Sequence, residues 1–525
     1  MKPGMEKPDT VIRVGKETER VSSMKEPKYW SKEMGCQAAI KFQMSACEQV
    51  RVNVIYSLVV ACGVVLILAQ LFPLRAFDAT KWSWPCNEIA KLTVGKNGEL
   101  GPLSEAILHE KVNTSDIDLS RGELRVFKPH GLAMHLWIEM GAYRGGPREF
   151  SIVGLVAKPI ETFHEPPYLC EWVSNDGKGA IKGNSSKILP DWNYGKLYTV
   201  VVITCTFEQD VGVDREGGEL ALHVSYGDKY RQPERITVLT EKQGEYNATM
   251  FSPPYPYDYV YCGSSVYGDV SPQRMREWLA YHAYFLGERS HFILHDSGGF
   301  HPDVWKVLEP WIKKGRVSVH NIQQQEIYDA YYHNQFLVVN DCLFRSRFMA
   351  NWTFFFDIDE YLHVPPTTTL EEVLSEDPNV TQITFEQVPI SNELCVADNT
   401  TADGHARKWT FEKLVYKRVL KRGIRYDRKY VVQARHAWAA GVHMSMNMKK
   451  GKNWYPKGDK LRYYHYHDTI NRRQELCNTF VAPANKSQVQ SHRRHYHRLD
   501  ETLSKTTDLV KAYELQTIGT LPFIL

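Results

Sequence analysis

"NWTFFFDIDEYLHVPP", residues 351–366, drives three phenylalanines straight into three acids. The Phe354–Phe356 run suits a central strand buried on both faces, as a parallel sheet requires. It emerges at Asp357, so the acids sit at the rim, where ligands collect beyond the carboxyl ends of strands. In extended backbone, side chains alternate: Asp357 and Asp359 leave on one side, and Ile358 turns back to the apolar side. Two neighbouring carboxylates repel unless a cation sits between them. Hard oxygen ligands of this kind suit Mg²⁺ or Mn²⁺ shared with substrate phosphate oxygens. Context carries this reading, because Asp-Ile-Asp recurs at Asp116–Asp118 in "KVNTSDIDLSRGE" with no apolar strand before it. That copy reads as a solvated turn or cap.

Outward from this stretch, strands and helices alternate. "YVYCGSS" (259–265), "HFILHD" (291–296), "RVSVHNI" (316–322) and "WTFFFDID" (352–359) read as strands. "SPQRMREWLAYHAYFLG" (271–287), "HPDVWKVLEPWIKKG" (301–315) and a long "EIYDAYYHNQFLVVNDCLFRSRFMA" (326–350) read as the helices between them. This order predicts a doubly wound, mostly parallel α/β sheet over residues 249–490. Upstream, "ELRVF", "GLAMHLWIEMG", "EFSIVGLVAK", "LYTVVVITCTF" and "ELALHVSYG" are short β-branched or aromatic runs between turn residues. They predict an all-β, sandwich-like module over 111–248, either packing for the next domain or a carbohydrate-binding unit.

At 525 residues the chain can bury at least two cores, and a net charge of +3 gives no reason to expect nucleic acid as partner. "VIYSLVVACGVVLILAQLF" (54–72) holds 19 residues without a charge, about the length of a bilayer-spanning helix. It predicts a signal anchor over 53–74, with a disordered cytosolic tail at 1–52, a stem at 75–110 and a tail at 491–525. The remainder is then lumenal, in keeping with seven N-x-S/T triplets at Asn113, Asn184, Asn247, Asn351, Asn379, Asn399 and Asn485. Seven cysteines follow the anchor, permitting disulfides and leaving one unpaired; no CxxC or His/Cys cluster argues for zinc.

"FFFDIDEYL", together with "YHNQFLVVNDCLFRSR" and "YVYCGSSVYGDVSPQRMREWLAYHAYFLGERSHFILHDSGG", resembles glycosyltransferase family 92, and within it the plant β-1,4-galactan synthases. The resemblance covers most of residues 250–480. It implies a GT-A type fold, inverting transfer from UDP-galactose, a divalent cation such as Mn²⁺, and a single-pass type II protein of the Golgi membrane. The acceptor it implies is the β-1,4-galactan side chain of pectin (rhamnogalacturonan I). Carried over by motif, Asp357 and Asp359 bind the metal and the diphosphate. Cys262, Gly263 and Ser264, with Asp296 of "HDSGG", match blocks that line the nucleotide pocket, and His465 or His467 of "LRYYHYHDTI" supplies a third metal ligand.

Residues 407–473 hold 19 Lys and Arg against four acids, and Lys429, Arg435 or Arg462 could neutralise the leaving diphosphate. Inverting transfer needs a base for the acceptor hydroxyl; Glu386 in "ITFEQVPISN" is the candidate, with Glu393, Asp468 and Glu360 as alternatives. Trp409, Trp438, Trp454 and Tyr455 are candidates for stacking on sugar rings. Two other readings stay open: the same fold with another UDP-sugar or acceptor, and a non-catalytic, membrane-anchored polysaccharide-binding protein. Pairing into a homodimer through the β-rich module is open as well.

Overall fold

The computed structural model describes residues 122–519 apart from 132–135, 178, 228–230, 329, 331, 398–400, 420–426, 457, 459, 472–473, 483–488 and 494. The apolar run at 54–72, the stem, Cys86, Asn113 and Asp116–Asp118 lie outside the described residues, as do Asn399 and Asn485. All described residues fall in one compact unit, Asn113–Leu525.

A ten-stranded mixed sheet forms the centre of the larger part. Val317–Asn321, Ser290–Asp296, Tyr257–Val266 and Ala350–Phe355 lie side by side in that order, all parallel. Next come Arg428–Val432, Val380–Pro389, Arg462–His465 and Glu360–His363, joined by antiparallel and parallel pairs. Every residue of Ser290–Asp296 is buried, and helices Pro272–Leu286 and Pro302–Lys313 cross between the parallel strands. Ser271 starts the first of these helices by accepting from the Arg274 N–H, with Pro272 in the first turn, where no amide partner is needed.

The three phenylalanines alternate between the faces of this sheet. Phe354 and Phe356 join Tyr261 and Trp278 in one core, whereas Phe355 enters the core on the other face and stacks on Tyr430 at 4.9 Å between ring centroids. Disulfide Cys262–Cys342 ties the strand Tyr257–Val266 to the helix Gln335–Arg345 beneath it.

Three elements differ from the sequence reading. The phenylalanine strand ends at Phe355, and Asp357–Asp359 lie in the turn leading to Glu360–His363, because the Asp357 N–H bonds to the Glu360 carboxylate instead of a ladder partner. The long helix expected over 326–350 is a 3₁₀ turn, Gln323–Ile327, and a separate helix, Gln335–Arg345. Tyr332, His333 and Asn334 take left-handed backbone with φ of 47°, 52° and 56°, which a right-handed helix cannot contain. Glu123–Leu124, expected in the β-rich module, pairs instead with Val317–Asn321 at the edge of the large sheet.

The β-rich part is an eight-stranded antiparallel sheet running from Lys128–His130 to Glu234–Glu241. Tyr168–Ser174, Ala180–Ile188 and Glu234–Glu241 were not among the expected strands; the first and last bury alternate residues, Tyr168, Cys170 and Trp172 in one and Ile236 and Val238 in the other, whereas Ala180–Ile188 has no fully buried residue. Trp137, Phe150, Trp172, Ile203 and Leu222 share one core, across which Cys170 and Cys205 are bonded. Ile138, Met140, Val153, Leu155 and Val202 pack the other way, into the core that contains helix Gln335–Arg345.

A fully buried acid, Asp341, sits at that junction. It accepts from Arg125 and Arg345 at 2.8 Å each, and from the Tyr143 hydroxyl. Burial pushes the Asp341 carboxyl up, but the two guanidinium groups outweigh it and hold it down at about 2. Its folded value lies below the unfolded one, so the stability it contributes is complete above the ordinary carboxylate range near pH 4 and is lost as the pH falls toward 2. Asp341→Asn should lower the unfolding free energy by about 3–5 kcal/mol and flatten that acid loss. Chemical denaturation between pH 2 and 7 measures both, and an unchanged acid profile would contradict the assignment.

Candidate active site

A cavity of about 340 Å³ opens at the carboxyl ends of the parallel strands. That size is in the range of small-molecule sites. One wall is built by the end of Tyr257–Val266, through Ser264, Ser265, Val266 and the following Tyr267; the floor is the turn Asp357–Asp359. His465, His467, Asp468 and Asn471 close the opposite side.

The two aspartates of the turn have different surroundings. Asp357 accepts from the Ser264 hydroxyl at 2.9 Å and from Lys429 Nζ at 2.5 Å. Burial pushes the Asp357 carboxyl up, yet Lys429 and Ser264 prevail and hold it below the ordinary range. Glu360, 1% exposed, accepts the Asp357 N–H at 2.7 Å and lies 3.7 Å from Lys429 Nζ. Its carboxyl is pushed up to about 7 by burial, with Lys429 pulling it back and Asp357 adding to the rise. Burial alone would lower the Lys429 ammonium, but Asp357 and Glu360 hold it well above the usual lysine value.

Asp359 is oriented by a backbone bond from the Tyr466 N–H to its carbonyl, and its carboxylate lies 3.5 Å from His465 Nε2. His465 and His467 approach at 3.3 Å, and ligating atoms of Asp359, His465 and His467 all fall within 4.8 Å of one another. One carboxylate oxygen and two imidazole nitrogens suit a divalent ion of the Mn²⁺ or Zn²⁺ type. Burial would lower the His465 imidazole, but its bond to Asp359 and the neighbouring Glu360 raise it to about 9. A cation at this cluster would compete with a proton for the His465 imidazole.

The remaining wall comes from the left-handed turn. His333 stacks on Tyr267 at 3.9 Å between centroids, beside Tyr332 and Gln335. Three consecutive non-glycine residues at positive φ cost on the order of 1–3 kcal/mol each. The turn is held by the Ser265 hydroxyl on the His333 carbonyl, the Asn334 amide on the Tyr328 carbonyl and the Gln335 amide on Ser264.

The structure thus gathers Ser264, Asp357, Asp359, His465 and His467 into one cavity. It places other candidates elsewhere. Cys262 is buried and bonded to Cys342, so its sulfur cannot meet a donor. Gly263 leaves no room for a side chain, since a Cβ there would come within 2.2 Å of the Tyr261 hydroxyl. Asp296 accepts the N–H groups of Gly298 and Phe300 on Oδ1 and faces the Gln323 amide with Oδ2, so it shapes the following loop and is not among the residues lining the cavity. Arg435 donates to the Asn351 carbonyl and to Gln433, and lies over the Tyr255 ring. Glu386 pairs with Arg428 at 3.1 Å, and Glu393 with His492 and Arg493, away from the cavity lining. Arg462 lies over the Tyr464 ring, Trp409 is buried, and Trp438 and Trp454 carry Lys449 and Lys460 on their rings. Tyr267, Tyr332, His333, Gln335 and Asn471 escaped sequence reasoning; "YYHNQ" carried a signal only as polar residues inside a supposed helix.

The profile of glycosyltransferase family 92 matches residues 257–507. Galactan beta-1,4-galactosyltransferase GALS1 of Arabidopsis thaliana is 50% identical over 396 residues, covering 75% of this chain and 79% of the relative. GALS3 of the same plant is 42% identical over 471 residues, covering 86% and 92%. The solved galactosyltransferase LgtC, with donor and acceptor sugar analogues, aligns over 34% of this chain and 58% of its own at 10% identity; its TM-score of 0.19 carries no argument. Two relatives this similar, matched over most of their length, and a profile spanning the cavity-bearing sheet give one conclusion: the chain belongs to glycosyltransferase family 92.

Proposed function

We propose that this enzyme transfers galactose from UDP-galactose to the 4-hydroxyl at the non-reducing end of β-1,4-galactan side chains of pectin, with inversion. The observation that carries the reading is the cluster of Asp359, His465 and His467 beside Asp357, in a strand-end cavity of a chain 50% identical over 396 residues to a galactan beta-1,4-galactosyltransferase.

In this reading Asp359, His465 and His467 would hold Mn²⁺, which would supply positive charge to offset that gained by departing UDP. Asp357, already neutralised by Lys429, keeps Ser264 fixed on the donor side of the cavity. The aromatic wall of Tyr267 and His333 supports a flat ring of donor or acceptor. Of the carboxylates considered for the base, Asp468 is the one in the cavity lining, so it takes the role first given to Glu386. Asp468 receives the proton of the 4-hydroxyl as that oxygen bonds to the anomeric carbon, while the bond to UDP breaks and its electron pair leaves with the phosphate. Attack from the face opposite UDP inverts the centre.

The compartment belongs to the same proposal: a type II protein of the Golgi membrane, anchored by residues 54–72. Three disulfides among the described residues support a lumenal catalytic part, since such bonds persist in oxidising compartments.

Asp359→Ala and His465→Ala should each reduce turnover about 10²–10³-fold with little change in thermal midpoint. Chelation should silence the unaltered enzyme and Mn²⁺ should restore it; turnover of either variant near that of the parent would remove the metal assignment. Full-length enzyme given a panel of UDP-sugars and labelled β-1,4-galactooligosaccharides should extend them with galactose in β-1,4 linkage. A preference for another UDP-sugar, read by linkage analysis, would redirect the donor.

A further inference from the structure

Behind His465 lies a hydrogen-bond relay in which each partner fixes the next. Gln387, near the end of strand Val380–Pro389, faces His465 Nδ1 through its side-chain Oε1 at 3.1 Å. Its Nε2 donates to Asp427 Oδ2 at 3.1 Å, and its backbone N–H donates to the Asp427 carbonyl. Asp427 stands directly before Arg428–Val432, the strand antiparallel to Val380–Pro389, whereas His465 ends Arg462–His465, the parallel neighbour on the other side. Gln387 lies opposite Tyr463 and His465 opposite Pro389, so in the two-residue repeat of strands the Gln387 side chain emerges on the same face as His465 and reaches it diagonally, with Asp427 on its other flank.

Donor and acceptor capacity then leaves one arrangement. A carboxylate only accepts, so Asp427 must receive a proton-bearing nitrogen and the Gln387 amide presents its NH₂ that way. Its oxygen is thereby turned to His465, and an amide oxygen also only accepts. Nδ1 of His465 must carry hydrogen, and Nε2 is the nitrogen left to face Asp359 and His467. We propose that Gln387, oriented by Asp427, is a positioning residue that keeps His465 in the Nδ1–H form, so that Nε2 serves as the ligating atom of the Asp359–His465–His467 cluster. The inference rests on the metal reading of that cluster given above. Partners of this outer kind typically contribute 10–100-fold in metal affinity.

The test is direct Mn²⁺ binding to the substrate-free, full-length protein, followed by electron paramagnetic resonance of the unbound ion, with the metal-free thermal midpoint as fold control. Gln387→Leu removes the acceptor and should raise the Mn²⁺ dissociation constant about 10–100-fold at an unchanged midpoint. Gln387→Glu combined with Asp427→Asn, whose NH₂ can face the new carboxylate, retains an oxygen acceptor for Nδ1–H and should bind close to the parent. Asp427→Asn supplies an NH₂ that lets the Gln387 amide turn over, and should weaken binding without deleting any bond-forming atom at Gln387. That variant decides the matter if Gln387→Leu does not fold. Parent-like binding by Gln387→Leu, or by Asp427→Asn where it decides, overturns the positioning role while leaving the metal cluster standing. Failure of the parent itself to bind Mn²⁺ overturns both.

Discussion

One buried ammonium, Lys429 Nζ, makes the three-acid turn possible. Asp357 and Glu360 are joined by a backbone bond and lie near the same point, in a place where charge is poorly solvated. Without a cation between them, one carboxyl would have to stay protonated. Lys429 is 3% exposed and comes from the strand that stacks Tyr430 on Phe355, so the same sheet pairing that buries the phenylalanines delivers the compensating charge. The consequence is a division of roles within Asp357–Asp359: the protein itself satisfies Asp357, and Asp359 faces the two histidines.

The rest of the cavity depends on that floor. Ser264 bridges Asp357 and Gln335, and Gln335 begins the helix whose N-terminal approach is the left-handed turn at Tyr332–Asn334. Disulfide Cys262–Cys342 fixes the same helix to the strand carrying Ser264. Strain in the turn is thus opposed by covalent and hydrogen-bonded ties on both sides, the usual circumstance in which such backbone persists at functional sites. The β-rich sheet packs on the far side of this helix, with Asp341 at the junction, so the module stiffens an element of the cavity wall without entering the cavity.

Much of this was legible in the sequence because it depends on local pattern. The apolar strand at Phe354–Phe356 and the alternation of strands with helices from 258 to 322 follow from period and burial demand. Asp357, Asp359 and His465 were singled out by their place after such strands and by block order, and all three line one cavity. What escaped was whatever depended on a partner distant in sequence. Lys429 stood out with Arg435 and Arg462 as a partner for the leaving diphosphate, and only strand pairing showed that its partner within the protein is Asp357. Glu386 looked suitable as a base until Arg428 was found beside it, and Asp296 looked suitable for a nucleotide until loop amides claimed it.

By itself the sequence determined that a greasy strand must be covered on both faces and that acids must emerge where it ends. These are consequences of side-chain solvation and the two-residue repeat of extended backbone, which act over a few residues. Tertiary structure alone decided that the acids lie in a turn, that one is neutralised by Lys429, and that the other meets His465 and His467. Charge compensation and ligand geometry act over a few ångströms of space between segments some 70 to 110 residues apart, and only the sheet register brings those segments together.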